Sequence, residues 1–269
     1  MKSPVFLAGA MLLACAGASL AQSPFDGTWK TDLSKTKYDS KPFNVYIAQG
    51  WYHCESCTPS YAIKADGTDQ PVPEQGIDTV SVKVVDDKSI SFVSKKNQKV
   101  VFEGTVTVSE DGKTATEKGT FYPPNSDKPS NWVDTLKRSG TLPSGVHAVS
   151  GQWLAVKEST SDEKETLNTY KTNGDELVYT GPNGVTYTAK FDGSDYPAKG
   201  SYGYDTVSLK RLGERSFEET DKLKGKVNAV YTLTVSNDGK TMTVLGVAKP
   251  SERKTTYVST KVAEQLAKK

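Results

Sequence analysis

Two cysteines separated by two residues, Cys54 and Cys57, are the side chains of this sequence that could most directly do chemistry. Their spacing is that of a redox dithiol, in which the pKa of one thiol is lowered. A thioredoxin-like site needs a strand that runs into a helix N-terminus, whereas this pair follows an aromatic run, 51–53, and precedes Thr58-Pro59. We therefore predict a structural disulfide that tightens a loop or hairpin. A CxxC-dependent oxidoreductase is the alternative.

A metal site is the second chemistry that this segment suggests, because His53 adjoins Cys54. Three ligands so close together, with no second cluster, fall short of the four that a structural zinc site uses. The other histidine, His147, lies far along the chain. Covalent haem attachment requires a histidine directly after the second cysteine, and Thr58 stands there instead. We predict neither a metal nor a cofactor.

Acidic residues occur in two DG-x-D motifs, 66–69 and 192–195, which could supply calcium ligands or paired catalytic carboxylates. Each motif stands between an alternating run and a proline, and Asp-Gly suits a tight turn, so we predict turns. No EF-hand spacing follows either motif. A G-x-S-x-G motif is also missing, and neither histidine is placed to serve a Ser-His-Asp triad. The sequence therefore indicates a protein that is not an enzyme.

Aromatic side chains are the remaining candidates for a binding site, because rings can line a pocket for an apolar or ring-bearing ligand. Tyrosine is also a common strand residue, so some of these rings belong to ordinary barrel packing. The candidate ligand-lining residues are Tyr46, Trp51, Tyr52, Tyr61, Tyr187 and Tyr204.

The N-terminus has the pattern of a secretory signal peptide, residues 1–21. Lys2 precedes an apolar stretch, 5–14, that is shorter than the roughly 20 residues of a membrane span. We place cleavage after Ala21 and expect a protein secreted to the periplasm or exterior of a bacterium. Cys15 follows Leu-Leu-Ala, so a lipid anchor at this cysteine is the alternative.

The formal net charge is only +2, and acidic and basic residues are interspersed along the chain. Nucleic acids and anionic membranes attract blocks or stripes of basic residues, which this chain lacks. No apolar run after the signal peptide is long enough to span a membrane. We therefore expect neither a nucleic-acid partner nor a transmembrane segment.

The sequence after the predicted signal peptide contains an internal duplication. YAIKADGTDQP at 61–71 returns as YTAKFDGSDYP at 187–197, and VSEDGKT at 108–114 returns as VSNDGKT at 235–241. The duplication predicts two domains of one shared fold, 22–138 and 149–269. The Gly-, Pro- and Ser-containing segment 139–148 lacks periodicity and is predicted as the linker.

Within each copy the apolar residues alternate with polar ones, and the matching runs 100–108 and 227–235 keep the same register. This period of two predicts strands with one buried face. Asp-Gly and Asn-Gly turns separate the runs, which indicates antiparallel up-and-down meanders of about eight strands per copy. An eight-stranded meander closes into a β-barrel that can hold one small ligand. The terminal KVAEQLAKK is predicted to form a short helix.

Two further motifs carry a family resemblance. Gly27-x-Trp29 and Gly151-x-Trp153, each at the start of a meander, resemble the first signature of lipocalins. Together with FDGTWKTDLSKTKY and the repeated DG turns, they make the chain similar to secreted bacterial lipocalin-like tandem proteins, a mostly uncharacterised group. The resemblance implies that each Trp plugs the closed end of a barrel and that an arginine covers it. Arg138 stands near that place in the first copy, whereas the second copy offers no arginine there.

The resemblance also implies small-molecule binding as a class. We expect a secreted, non-enzymatic binding protein for a small hydrophobic or amphipathic ligand. The first alternative is a structural or protein-interaction module of the cell envelope, in which both barrels are packed solid. The second alternative is the CxxC-dependent envelope oxidoreductase.

Overall fold

The computed structural model describes residues 23–39, 41–73, 76–125, 128–142, 144–160 and 163–262. Over these residues the chain is all-β, as predicted, and its only helical segments are three short 3-10 helices. The predicted signal peptide and residues 263–269 of the predicted C-terminal helix lie outside the described residues.

The secondary-structure elements follow one another in short hairpin-linked segments. The strands are β1 (Gly27–Thr31), β2 (Lys37–Tyr38), β3 (Phe43–Ala48), β4 (Trp51–Cys54), β5 (Tyr61–Lys64), β6 (Gln70–Pro71), β7 (Thr79–Asp86), β8 (Ser89–Lys96), β9 (Lys99–Val108), β10 (Thr114–Phe121), β11 (Ser130–Ser139), β12 (Gly151–Thr160), β13 (Leu167–Asn173), β14 (Glu176–Thr180), β15 (Thr186–Lys190), β16 (Tyr196–Lys199), β17 (Thr206–Gly213), β18 (Ser216–Leu223), β19 (Lys226–Val235), β20 (Thr241–Ala248) and β21 (Lys254–Lys261). The 3-10 helices are η1 (Leu33–Lys35), η2 (Glu163–Thr166) and η3 (Pro182–Gly184).

These strands form two antiparallel barrels. In the first barrel, the order in the described sheet is β5-β4-β3-β12-β11-β10-β9-β8-β7-β6. In the second barrel, the order is β1-β13-β14-β15-β16-β17-β18-β19-β20-β21, with β2 added beside β21. Pairing of β1 with β21 closes the second barrel.

The first strand of each sequence copy lies in the barrel that the other copy builds. Strand β1 pairs with β13 on one side, Gly27 opposite Tyr170, and with β21 on the other, Trp29 opposite Lys261. Strand β12 pairs with β3, Gly151 opposite Val45, and with β11 over most of its length. The two copies have therefore exchanged their opening strands.

This exchange makes the strand pairing differ from the predicted ranges 22–138 and 149–269. The first barrel runs from β3 to β12, and the second combines β1 and β2 with β13 to β21. The physical reason is that both opening strands carry the same Gly-x-Trp pattern, so either one completes either barrel. The chain therefore changes barrel between β2 and β3, and again between β12 and β13.

The described barrel sheets have ten and eleven strands, more than the eight predicted. A DG turn contributes one extra strand to each barrel, because it separates β5 from β6 and β15 from β16. Asp66 forms an isolated bridge with Lys83, and its Oδ1 accepts the backbone N–H of Thr68 at 2.9 Å. In the second barrel Asp192 repeats both features, bridging to Lys210 and accepting the N–H of Ser194. The carboxylate holds the turn, which is the role predicted for these motifs.

The predicted linker, 139–148, begins inside β11 and is attached to the first barrel at its far end. The backbone N–H of His147 donates to Ile47 O at 3.0 Å, and its ring Nε2 lies 2.6 Å from Asp86 O. Val149 and Ser150 are buried. The chain therefore enters β12 from a segment that is already packed against the first barrel.

Candidate functional site

The first barrel encloses a cavity of about 710 Å³. Inward-facing residues from most of its strands line the cavity, and nearly all of them are apolar or aromatic. Because successive strand residues point to opposite faces, Val80 and Val82 on β7 and Phe102 and Val106 on β9 reach the interior while their neighbours face outward. A cavity of this size lies within the range of roughly 300–1,000 Å³ typical of small-molecule sites.

Two glycines make room for the rings at the open end of this cavity. Gly104 and Gly119 stand opposite each other on β9 and β10. A Cβ atom on Gly119 would collide with the Trp132 indole, and one on Gly104 would meet Phe92. The Trp132 ring instead packs edge-on against Phe102, with centroids 5.9 Å apart.

The second barrel covers the open end of the first-barrel cavity. Residues 182–185 and 200–203 belong to second-barrel loops and line the first-barrel cavity. Tyr202 meets Phe121 edge to face, with ring centroids 6.2 Å apart. Gly76 lies directly against Tyr202 O, so no larger residue fits there. The mouth is therefore built jointly by both barrels.

The closed end of the cavity is sealed by Trp153, whose indole N–H donates to Val149 O at 2.8 Å. Arg138 covers this ring at 4.1 Å from its centroid. The guanidinium also donates to the carbonyl oxygens of Gly112, Ala148 and Ser150, each at 2.6 Å. Arg138, the residue that the resemblance implies as the cover of a barrel tryptophan, therefore covers Trp153. This tryptophan belongs to the other sequence copy.

The second barrel repeats this closed end with a different cation. Trp29 is fully buried and its indole N–H donates to Phe25 O at 2.8 Å. Lys261 lies 5.2 Å from the Trp29 centroid, at the place that Arg138 occupies in the first barrel. The second copy lacks an arginine there, as the sequence indicated, and a lysine takes its place.

One carboxyl group, Glu117, points into the first-barrel cavity. It stands opposite Asp134, which stands opposite Glu158, so three acidic residues cross β10, β11 and β12 in a row. Burial, and then the charge of Asp134, raise the pKa of Glu117 to about 7. Burial, and then the charge of Glu158, raise the pKa of Asp134 to about 6. Near neutral pH, Glu117 is divided between its acid and its carboxylate.

The interior of the second barrel is fuller and more polar. Phe25, Trp29, Phe217, Leu177 and Leu209 fill its closed half, and all five are fully buried. A cavity of about 280 Å³ is left above them. Tyrosine rings and acidic side chains line it, whereas apolar side chains line the first-barrel cavity.

Two buried carboxyl groups, Glu219 and Asp221, project into this smaller cavity from β18. Glu219 Oε2 accepts the Tyr187 hydroxyl at 2.6 Å. The corresponding positions in the first barrel, two residues apart on β8, are Phe92 and Ser94. The two copies therefore share a scaffold but differ in the chemistry of their interiors.

The predicted ligand-lining residues divide between the two barrels and the outer surface. Tyr52 and Tyr61 line the first-barrel cavity, and Tyr204 lines that of the second barrel. Tyr187 is buried in the second-barrel core beside Glu219.

Tyr46 and Trp51 are 36% and 43% exposed and line neither cavity. The period of two explains this: Tyr46 lies between the inward-facing Val45 and Ile47, and Trp51 precedes the inward-facing Tyr52.

The cysteine pair lies at the end of β4, with Cys54 and Cys57 at disulfide-bonding distance and their Cα atoms 5.3 Å apart. Cys54 is fully buried. The intervening turn folds back on β3, where Asn44 N–H donates to the Ser56 hydroxyl at 2.9 Å. No helix begins at either cysteine in the described chain, so the local structure is a turn, not a thioredoxin-like redox site.

Reducing this disulfide is expected to lower the free energy of unfolding by about 2 kcal/mol or less, because it closes a loop of only a few residues. Urea unfolding with and without dithiothreitol measures this. The Cys54→Ala/Cys57→Ala variant is the control and should not respond to the reductant. Insulin reduction by the natural protein, but not by this variant, would instead favour the oxidoreductase.

In comparisons with known proteins, no family model and no curated protein matches this chain. Among the residues that the structure describes, no helix is long and apolar enough to cross a membrane. The same residues contain no group of three His, Cys, Asp or Glu side chains placed to hold a metal ion.

Proposed function

We propose that this protein is a lipocalin-like, non-enzymatic binding protein that carries a small hydrophobic or amphipathic molecule in its first barrel. The cavity of about 710 Å³ carries this proposal. Contact between its apolar walls and water is unfavourable, so an apolar ligand that displaces the water would bind there. Along the strand-lined wall, Glu117 and Ser94 add hydrogen-bonding side chains to the tyrosine hydroxyls and the indole N–H groups. An amphipathic ligand would direct its polar group to them.

The same cavity favours binding over a purely structural role with two solid barrels. The packed disulfide turn likewise favours binding over thiol chemistry. We also place the protein outside the cytoplasm, in the periplasm or extracellular space of a bacterium. The signal-peptide pattern of residues 1–21 supports this location, and a disulfide is stable in such an oxidising compartment.

Fluorescence of the neutral probe N-phenyl-1-naphthylamine tests the proposal. The probe should brighten on binding to the natural protein, and Val106→Trp should abolish most of the increase by filling the cavity that Val106 lines. Val133→Trp is the matched control, since Val133 is exposed on the outer face of the barrel wall, on β11. Equal binding by both variants, with both folded by circular dichroism, would refute a site inside the first barrel.

The affinity for this neutral probe should also depend on pH. Raising the pH through the Glu117 pKa of about 7 places a charge against the apolar ligand. If only the neutral acid permits binding, the dissociation constant rises by up to about tenfold between pH 6 and pH 8. Glu117→Gln should bind equally well at both values. A pH response that persists in this variant would show that Glu117 is not its source.

A further inference from the structure

The second barrel contains an acidic pair that the proposed function does not use. Asp221 is 4% exposed and Glu219 is 8% exposed, and both line the cavity of about 280 Å³. Glu219 accepts the Tyr187 hydroxyl, but Asp221 Oδ1 has no hydrogen-bond partner among the described residues. A buried acceptor without a donor costs free energy, so the site is arranged for a donor or cation that enters the cavity.

No cationic side chain lies against this acidic pair in the described cavity, since no described residue that lines it is a lysine, arginine or histidine. Burial and the neighbouring Glu219 raise the pKa of Asp221 to about 9. Burial also raises the pKa of Glu219, and hydrogen bonds from Tyr187 and Asp221 lower it in part. A cation in the cavity would favour the ionised form of the pair and so lower the pKa of both carboxyl groups.

Aromatic rings surround the pair. Tyr170, Tyr179, Tyr204 and Tyr231 line the same cavity. Tyr170 and Tyr179 lie against each other, with ring centroids 5.1 Å apart. The faces of such rings attract organic cations, especially in a site removed from water. Rings and a carboxylate together suit an ammonium group that carries apolar substituents.

The cavity has an approach from the surface. It shares Thr31, Leu33, Glu158 and Thr166 with a surface cleft of about 740 Å³. This cleft carries charges of both signs, because Lys30 and Lys157 line it together with Asp32, Glu158 and Glu163. The acidic character is therefore confined to the cavity itself, where a ligand that enters through the cleft would meet it.

We infer that the second barrel binds a compact organic ammonium ion, held between the Glu219–Asp221 pair and the surrounding tyrosine rings. The volume excludes large ligands, and the absence of a third suitably placed ligand among the described residues disfavours a metal ion. A neutral polyol would lack the attraction of a cation to the faces of the surrounding rings. The first barrel cannot form this site, because Phe92 and Ser94 occupy the matching positions.

Isothermal titration of the full chain tests this inference with two pairs of probes of matched shape. Choline is compared with 3,3-dimethylbutan-1-ol, and 2-phenylethylammonium with 2-phenylethanol. At least one cation should bind at least tenfold more tightly than its neutral counterpart. Failure of both cations to bind, or equal binding of the neutral compounds, would overturn the inference.

Asp221→Asn should weaken cation binding at least tenfold while preserving the shape of the side chain. Glu218→Gln, which removes an acidic side chain from the outer face of the same strand, is the control and should leave cation binding unchanged. Binding of N-phenyl-1-naphthylamine should persist in Asp221→Asn, which separates this site from the proposed first-barrel site. Unchanged cation binding by a folded Asp221→Asn variant would contradict the assignment.

The pH dependence provides a second measurement that does not depend on the variant. Choline keeps its charge at every pH and favours the ionised form of Asp221, so its affinity should rise between pH 6 and pH 9. The hydroxyls of Tyr170, Tyr179, Tyr187, Tyr204 and Tyr231 face the pair, and burial raises the pKa of each phenol, so the phenols stay neutral over this range. Glu158 also lines the cavity, and burial raises its pKa, so its ionisation as the pH rises would act on the cation in the same direction. An affinity that falls as the pH rises would refute the role of the carboxyl pair.

Discussion

Cutting the chain between the two sequence copies should leave a single particle. Cleavage at a protease site introduced at 141–145, where the described residues are exposed, would cut the chain between β11 and β12. Each fragment nevertheless supplies a strand to the barrel of the other, because β1 closes the second barrel and β12 belongs to the first. On size exclusion without denaturant, the nicked protein should elute with the intact chain. It should separate into two fragments only in urea.

Two independent barrels joined by a tether would behave differently, because cleavage would release them at once. The uncut variant carrying the same protease site is the control for effects of the inserted sequence. A further comparison is the fragment 23–142 expressed alone, whose barrel lacks β12. Clean separation of the cut halves into two folded, monomeric species would contradict the exchanged strand pairing.

Replacing Arg138 by alanine should destabilise the protein by on the order of 3 kcal/mol. The guanidinium donates to the carbonyl oxygens of Gly112, Ala148 and Ser150 and covers the Trp153 ring, so its loss leaves three acceptors without this donor. Arg138→Lys should recover little stability, since one ammonium group cannot reproduce the planar fork. Urea denaturation measures each difference.

The second barrel offers the matched control for this prediction. Lys261 lies over Trp29 at the equivalent place, 5.2 Å from the ring centroid. Lys261→Ala should therefore cost less than about 1 kcal/mol, the range of an exposed cation–π contact. Equal losses for Arg138→Ala and Lys261→Ala would mean that the hydrogen bonds of Arg138 add little.

Much of the fold follows from the alternation of apolar residues, because the strand pleat forces every second side chain to one face. The register shared by β9 and β19, and the repeated DG turns, predicted the barrels in this way. The exchange of β1 and β12 could not be predicted, since both opening strands carry Gly-x-Trp and match either barrel equally well.

The candidate sites were predictable only in part. Residue type alone predicts Tyr52 and Tyr61, whereas the outward position of Tyr46 follows from strand alternation, because Val45 and Ile47 on either side face inward. Glu219 and Asp221 were missed, although alignment of the two copies sets them opposite Phe92 and Ser94, and a carboxylate replacing a ring at an inward position is a readable signal. Their approach to Tyr187 could not be read, because it depends on the curvature of the closed barrel.

The exchanged strands also set an order of events during synthesis. The first barrel needs β12, so its sheet edges at β3 and β11 stay open until Thr160 has left the ribosome. The second barrel waits for β21, the last strand described, although β1 was its first segment to be made. Neither barrel can therefore close while most of the chain is still unmade, and β1 has no partner of its own barrel until β13 has been synthesised, when more than half of the chain is complete.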